Sequence, residues 1–187
     1  VTLSGGNPCM WDLTRLIGLL HGAELGVAVE TQGTLSPAWL QLCQMVVVSP
    51  KSPGMGEKFE PEKLKKFLDN FEQRHREGRS KPAVALKIVL FSQQDIEFML
   101  DVIEFVAHNT NAGIHPGLLF ASVGNPYPPK LIDDKLTDSM QSGDIHKLDL
   151  LRAYRTLCED IANDDRITHV KILPQLHVLA WGNEAER

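Results

Sequence analysis

Little in this chain is extreme in composition, and each scarcity excludes a class of function. Its 187 residues include three cysteines, Cys9, Cys43 and Cys158, odd in number and far apart. That pattern argues against a disulfide framework and fits a reducing cytoplasm. Their spacing alone makes no metal site. Charge of one sign is also scarce: 19 Lys and Arg against 24 Asp and Glu leave a net charge of −5, with no basic footprint for nucleic acid. The cations are scattered, and Lys58, Lys63, Lys65 and Lys66 alternate with Glu57, Glu60 and Glu62 as on a solvated helix face. No apolar run approaches the roughly 18 residues that span a bilayer, and the start lacks the basic segment of a secretory signal. HExxH, GxSxG, P-loop and paired-carboxylate patterns are missing, which weighs against zincin, hydrolase and kinase chemistry.

What is present reads as one globular domain over residues 1–187, with 43% hydrophobic and 23% charged content and a tail after about 182 that is expected to be flexible. Short β-branched runs at 1–4, 27–31, 45–49, 84–91, 117–122 and 169–173 predict strands. Between them, 11–24, 37–43, 61–77, 93–108 and 145–163 predict helices. In the last, Ile145, Leu148, Leu151, Leu157 and Ile161 fall near one helical stripe. Pro37 and Pro61 stand at first helical positions, and Ser92 is placed to cap a helix. Strand–helix alternation along the whole length predicts a parallel sheet or a βα barrel.

Polar and glycine-rich residues gather just after the strands, where such folds bind ligands. Ser4-Gly5-Gly6-Asn7-Pro8 ends the first strand. It reads either as a tight turn or as a cradle whose amides face an anion, with Asn7 offering a carbonyl to an ammonium group. Glu30-Thr31-Gln32-Gly33-Thr34 ends the second, as a polar turn or as a grip on hydroxyl and amine groups. Ser49-Pro50-Lys51 follows the third, as an ordinary loop lysine or as a hydroxyl and a cation for a carboxylate or phosphate. The fifth strand leads into Val123-Gly124-Asn125 and the sixth into Pro174-Gln175-Leu176-His177. His177 is either structural or a hydrogen-bonding group for a heterocycle.

Taken in order, the segments at Ser4, Glu30, Ser49 and Pro174 resemble the 7-carboxy-7-deazaguanine synthase family of radical S-adenosylmethionine enzymes. The resemblance runs from the first residue to about Gly182. It implies a partial (β/α) barrel of the radical S-adenosylmethionine type, lacking its first βα unit. It implies conversion of 6-carboxy-5,6,7,8-tetrahydropterin to 7-carboxy-7-deazaguanine and ammonia by radical ring contraction, a lyase step of deazapurine and queuosine biosynthesis. The implied cofactors are S-adenosylmethionine, a 4Fe-4S cluster and Mg2+; the implied partners are the pterin, a flavodoxin-type electron donor and a second copy of the chain.

By the match, Gly5, Gly6, Asn7, Glu30, Ser49, Pro50, Lys51, Ser122, Val123, Gly124 and Asn125 bind S-adenosylmethionine. Ser4, Gln175 and His177 face the pterin. The family carries Glu where Asn7 stands and Asn where Gln32 stands; both swaps keep a carbonyl acceptor, and the first loses a charge. Its three cluster cysteines precede the glycine pair. Cys9, Cys43 and Cys158 do not replace them, because cluster thiolates must converge. The expectation is therefore a fragment that holds no cluster and is inactive alone. Two other readings remain open: a different radical S-adenosylmethionine enzyme, such as an activating enzyme, and a cluster-free α/β module that binds a nucleotide.

Overall fold

A computed structural model describes residues 1–76, 82–110, 114–125, 130–132, 135–137 and 143–181. Strand β1 (Thr2–Leu3) leads into a short 3₁₀ turn at Pro8–Met10 and helix α1 (Thr14–Gly22). β2 (Ala28–Thr31) and β3 (Met45–Val48) are joined through a second 3₁₀ turn, Ala38–Leu42. α2 (Pro61–Arg76), β4 (Ala83–Leu90), α3 (Gln93–Asn109) and β5 (Leu119–Val123) follow. A two-stranded hairpin, β6 (Lys130–Ile132) and β7 (Lys135–Thr137), then precedes α4 (Gly143–Ala162), β8 (Lys171–Leu173) and α5 (Leu176–Trp181).

Six strands form one parallel sheet in the order β1-β2-β3-β4-β5-β8. All the pairings are parallel, so every strand end of this sheet that carries a polar loop lies on the same edge. The two faces differ. Val29, Val46, Val48, Leu86, Ile88, Leu90, Leu119 and Ala121 are buried beneath the helices. The alternate residues, Ala28, Glu30, Met45, Val47, Lys87 and Val89, are half-buried on the other face. Ser122, a polar residue of that second face, is buried as well.

Helix α2 shows why the covering layer adheres. Leu64, Phe67, Leu68 and Phe71 recur at helical spacing and are each 2% exposed or less. The two phenylalanine rings meet edge to face with centroids 5.1 Å apart. The start of α3 is fixed by a reciprocal capping box between Ser92 and Asp95.

Several sequence expectations shift. Residues 37–43 make only a 3₁₀ turn: five residues cannot sustain an α-helix, and Trp39 is fixed instead by burial and by its indole N–H donating to the Trp11 carbonyl at 2.9 Å. α1 begins at Thr14 rather than residue 11, because Asp12 accepts from the Thr14 amide and hydroxyl. β5 begins two residues later than expected, since Pro116–Leu118 form a 3₁₀ turn closed by His115 Nδ1 on the Gly117 amide. No helix among the described residues is long and apolar enough to cross a membrane.

Candidate functional site

The ends of β1, β2 and β3 enclose a hollow of about 270 Å³. Ser4, Gly5 and Gly6 form one wall, Glu30 and Lys87 the floor, Ser49 and Lys51 the far side. Gly5 (φ 95°) and Gly6 (φ 57°) both occupy the left-handed region that favours glycine, and nothing lies within 4 Å of where a Cβ would stand. The pair is thus required by the turn, and it leaves open space beside the backbone.

Asn7 ties this turn to its neighbour. Its Oδ1 accepts from Thr31 Oγ1 at 3.0 Å and the Cys9 amide at 3.3 Å, while Nδ2 donates to Thr34 Oγ1 at 3.4 Å. One amide hydrogen of Asn7 remains for a ligand. The adjoining Gly33 (φ 76°) is held between β3 and α2: a Cβ there would stand 2.6 Å from Val48 Cγ1 and 3.3 Å from Leu64 Cδ1. Gly33→Ala is expected to lower stability by about 2 kcal/mol, from left-handed strain plus the clash, read as a fall in the urea midpoint. A shift under about 0.5 kcal/mol would show that the turn relaxes freely.

Glu30 and Lys87 reach over Val47 of the intervening strand and form a two-oxygen ion pair at 2.8 and 3.0 Å. Both are partly exposed, so the pair contributes on the order of 1 kcal/mol. Its larger effect is to fix where the carboxylate points. Ser49 is buried and its amide donates to the Thr31 carbonyl at 2.7 Å. Lys51 is half-buried with no ion-pair or hydrogen-bond partner among the described residues, and it also lines an adjoining hollow of about 240 Å³.

The second group of expected residues lies along the same edge, on β5 and just beyond. Ser122 follows Phe120 on the face that carries Lys87, and its Oγ is buried with no partner among the described residues. An orphaned hydroxyl in that position suits a hydrogen-bonding ligand. Gly124 donates to the Leu90 carbonyl at 2.7 Å, and Asn125 follows it half-buried. Val123 and Gly124 border a larger hollow of about 340 Å³ between α3 and α4. Its lining is mainly apolar, so the smaller hollow with the charged groups is the better site for a charged ligand. Gln175 Nε2 donates to the Val123 carbonyl at 2.6 Å, tying the end of β8 to that of β5. His177 lies in α5 rather than in a loop, and its side chain is outside the described residues.

Sequence reasoning missed Lys87, a lone cation within an otherwise apolar strand. The available signal was its period-two alternation with Ala85 and Val89 on the face that also holds Glu30. It also missed Asp95.

The cysteines are all free thiols. Burial, with the neighbouring Cys9 adding to it, pushes the Cys43 thiol up to about 11. Burial likewise raises Cys9, partly offset by its hydrogen bond with Thr31. Neither is a thiolate at neutral pH. Among the described residues, no group of three or more His, Cys, Asp or Glu converges to hold a metal ion.

No protein-family model matches the chain. The 7-carboxy-7-deazaguanine synthase of Bacillus subtilis strain 168 is 35% identical over 185 residues, covering 98% of this chain and 67% of that protein. The 7-carboxy-7-deazaguanine synthase of Bacillus cereus strain ATCC 14579 is 30% identical over 186 residues, with 98% and 67% covered. Among solved structures, Streptococcus suis SuiB bound to S-adenosylmethionine aligns with a TM-score of 0.52 and 15% identity, over 96% of this chain and 41% of that one. The complex of SuiB with its precursor peptide SuiA gives the same score over 39% of its chain.

The fold is an α/β partial barrel shared with Streptococcus suis SuiB. Its charged hollow lies at the carboxyl edge of the parallel strands. The chain belongs to the 7-carboxy-7-deazaguanine synthase family, and it spans about two thirds of the length of those curated relatives.

Proposed function

We propose that the chain supplies the ligand-binding strands of a 7-carboxy-7-deazaguanine synthase. Such an enzyme converts 6-carboxy-5,6,7,8-tetrahydropterin to 7-carboxy-7-deazaguanine with loss of ammonia. The observation that carries the proposal is the hollow in which a glycine turn, a lysine with no partner among the described residues and an oriented carboxylate converge, in a chain 35% identical to a curated synthase.

The residues fit S-adenosylmethionine. Its amino-acid end carries a carboxylate and an ammonium group, which require a cation with backbone donors and an acceptor. Lys51 and the Gly5-Gly6 turn serve the carboxylate; Glu30, held by Lys87, and the carbonyls of the turn serve the ammonium. Asn7 braces the turn through its bonds to Thr31, Thr34 and Cys9. Ser49 and Pro50 bound the hollow, and the orphaned Ser122 hydroxyl, with Val123, Gly124 and Asn125, serves the far end of the cofactor. Ser4, Gln175 and His177 are assigned to the pterin. Bound S-adenosylmethionine supplies radical chemistry, while this chain binds, orients and excludes water.

Among the described residues no three cysteines or other metal-ligating side chains converge to hold a 4Fe-4S cluster, and no step is assigned to the cluster or to Mg2+ on this chain. The 187 residues on their own are proposed to be inactive, and the whole enzyme to be a cytoplasmic homodimer reduced by a flavodoxin-type donor.

Calorimetric titration of the chain tests the reading. Binding of both S-adenosylmethionine and 6-carboxytetrahydropterin is expected. Binding of a nucleoside triphosphate in their place would overturn it in favour of a nucleotide module. Anaerobic iron–sulfide reconstitution that yields a stable cluster and cofactor cleavage would overturn the inactivity.

A further inference from the structure

Asp95, in the first turn of α3, is a carboxylate with no exposed surface. Its Oδ2 accepts from the Phe91 amide at 2.9 Å, the Ser92 amide at 3.0 Å and the Ser92 hydroxyl at 3.2 Å. The bond from the Ser92 amide is the Asp95 half of a capping box. Oδ1 does something the helix does not need: it accepts from the Gly54 amide at 2.9 Å, a residue 41 positions away in the loop after β3. Burial pushes this carboxyl up, but its hydrogen bonds with Gly54, Phe91, Ser52 and Ser92 outweigh that and hold it below the usual carboxylate range.

The loop has been shaped for the contact. A Cβ at Gly54 would stand 2.6 Å from Asp95 Oδ2 and 3.0 Å from the Phe91 ring. Ser52, itself fully buried, donates to the Val89 carbonyl at 3.0 Å. Lys51 therefore stands between two fixed points: the Ser49 amide on the Thr31 carbonyl before it, and Ser52 and Gly54 after it. Phe91, whose amide the same carboxylate holds, lays its ring against Gly124, where a Cβ would meet ring carbons at 2.3 Å.

We infer that Asp95 is a positioning residue for the ligand site, holding the Ser49-Pro50-Lys51 loop and the Ser122–Asn125 segment in register without touching the ligand. The inference rests on the assignment of those two segments to S-adenosylmethionine.

The test compares Asp95→Asn with Ser92→Ala. The asparagine keeps one acceptor, but its amide nitrogen confronts a backbone N–H. The alanine removes one capping hydroxyl and leaves the Asp95–Gly54 bond intact. Both variants are expected to melt earlier than the parent. Only Asp95→Asn is expected to weaken S-adenosylmethionine binding, about tenfold by calorimetry, and to speed hydrogen exchange at the Gly54 amide and its neighbours in the loop. Gly54→Ala should reproduce that loss and add little to it in the double variant. If the parent chain binds no S-adenosylmethionine, the proposed function fails. If it binds and Asp95→Asn binds equally well, or if Ser92→Ala weakens binding as much, this inference fails. Unchanged exchange in the loop of Asp95→Asn would overturn it on the protein alone.

Discussion

Lys51→Ala is expected to weaken S-adenosylmethionine binding by roughly 10- to 100-fold, the usual range for a charged hydrogen bond, while the unfolding midpoint stays almost where it was. The two halves of that result have separate causes. Lys51 is half-buried and has no ion-pair or hydrogen-bond partner among the described residues, so removing its amine strands no protein group. Such a change shifts stability by less than about 0.5 kcal/mol. The ammonium is nevertheless the uncompensated cation of the hollow, because Lys87 is engaged with Glu30. Lys51→Arg should recover part of the affinity through its charge but not all of it, since a planar fork replaces a compact point donor. Calorimetry gives affinity and urea titration gives stability on the same preparations. Equal affinity in Lys51→Ala would remove the lysine from the site.

Phe67→Ala is expected to cost about 3–5 kcal/mol, the range for deleting a buried ring. Phe67 is 2% exposed between Leu64, Leu68 and Phe71, and its ring meets that of Phe71 edge to face. The core around it is close-packed, so the vacancy does not simply fill. Its Cδ1 also lies 3.9 Å from the position a Gly33 Cβ would take, so the ring supports the turn after β2 from below. The fall in the urea midpoint measures the loss. A change under about 1 kcal/mol would mean that α2 does not seal this face. The effect belongs to stability first, and it reaches the site only through the Gln32-Gly33-Thr34 turn.

The layout of the sheet was legible in the sequence because alternation and turn residues are local signals. Val29 and Thr31, or Val46 and Val48, announce a buried face by their spacing, and the strand ends fall within a few residues of expectation. The glycine pair and the Ser49-Pro50-Lys51 segment could be placed on one edge for the same reason. What the sequence concealed depends on partners far along the chain. Lys87 acquires meaning only when β4 lies two strands from Glu30. Asp95 reads as an ordinary capping residue until Gly54 arrives against its second oxygen. Tertiary contacts also decided residues 37–43, where the buried Trp39 and its bond to Trp11 prevailed over helix signals. The hairpin of β6 and β7 was overlooked although Lys130-Leu131-Ile132 and Lys135-Leu136-Thr137 flank an Asp-Asp pair, a pattern that suits two short strands.

The pairing of Glu30 with Lys87 has a consequence for how a ligand arrives. The two charges cancel at a distance, which leaves the single positive charge of Lys51 in the hollow of a chain whose net charge is −5. Such a molecule casts no attractive field for an anionic pterin beyond the roughly 8 Å over which physiological salt lets charges act. Capture of the pterin therefore depends on undirected diffusion followed by short-range fit, and not on electrostatic steering.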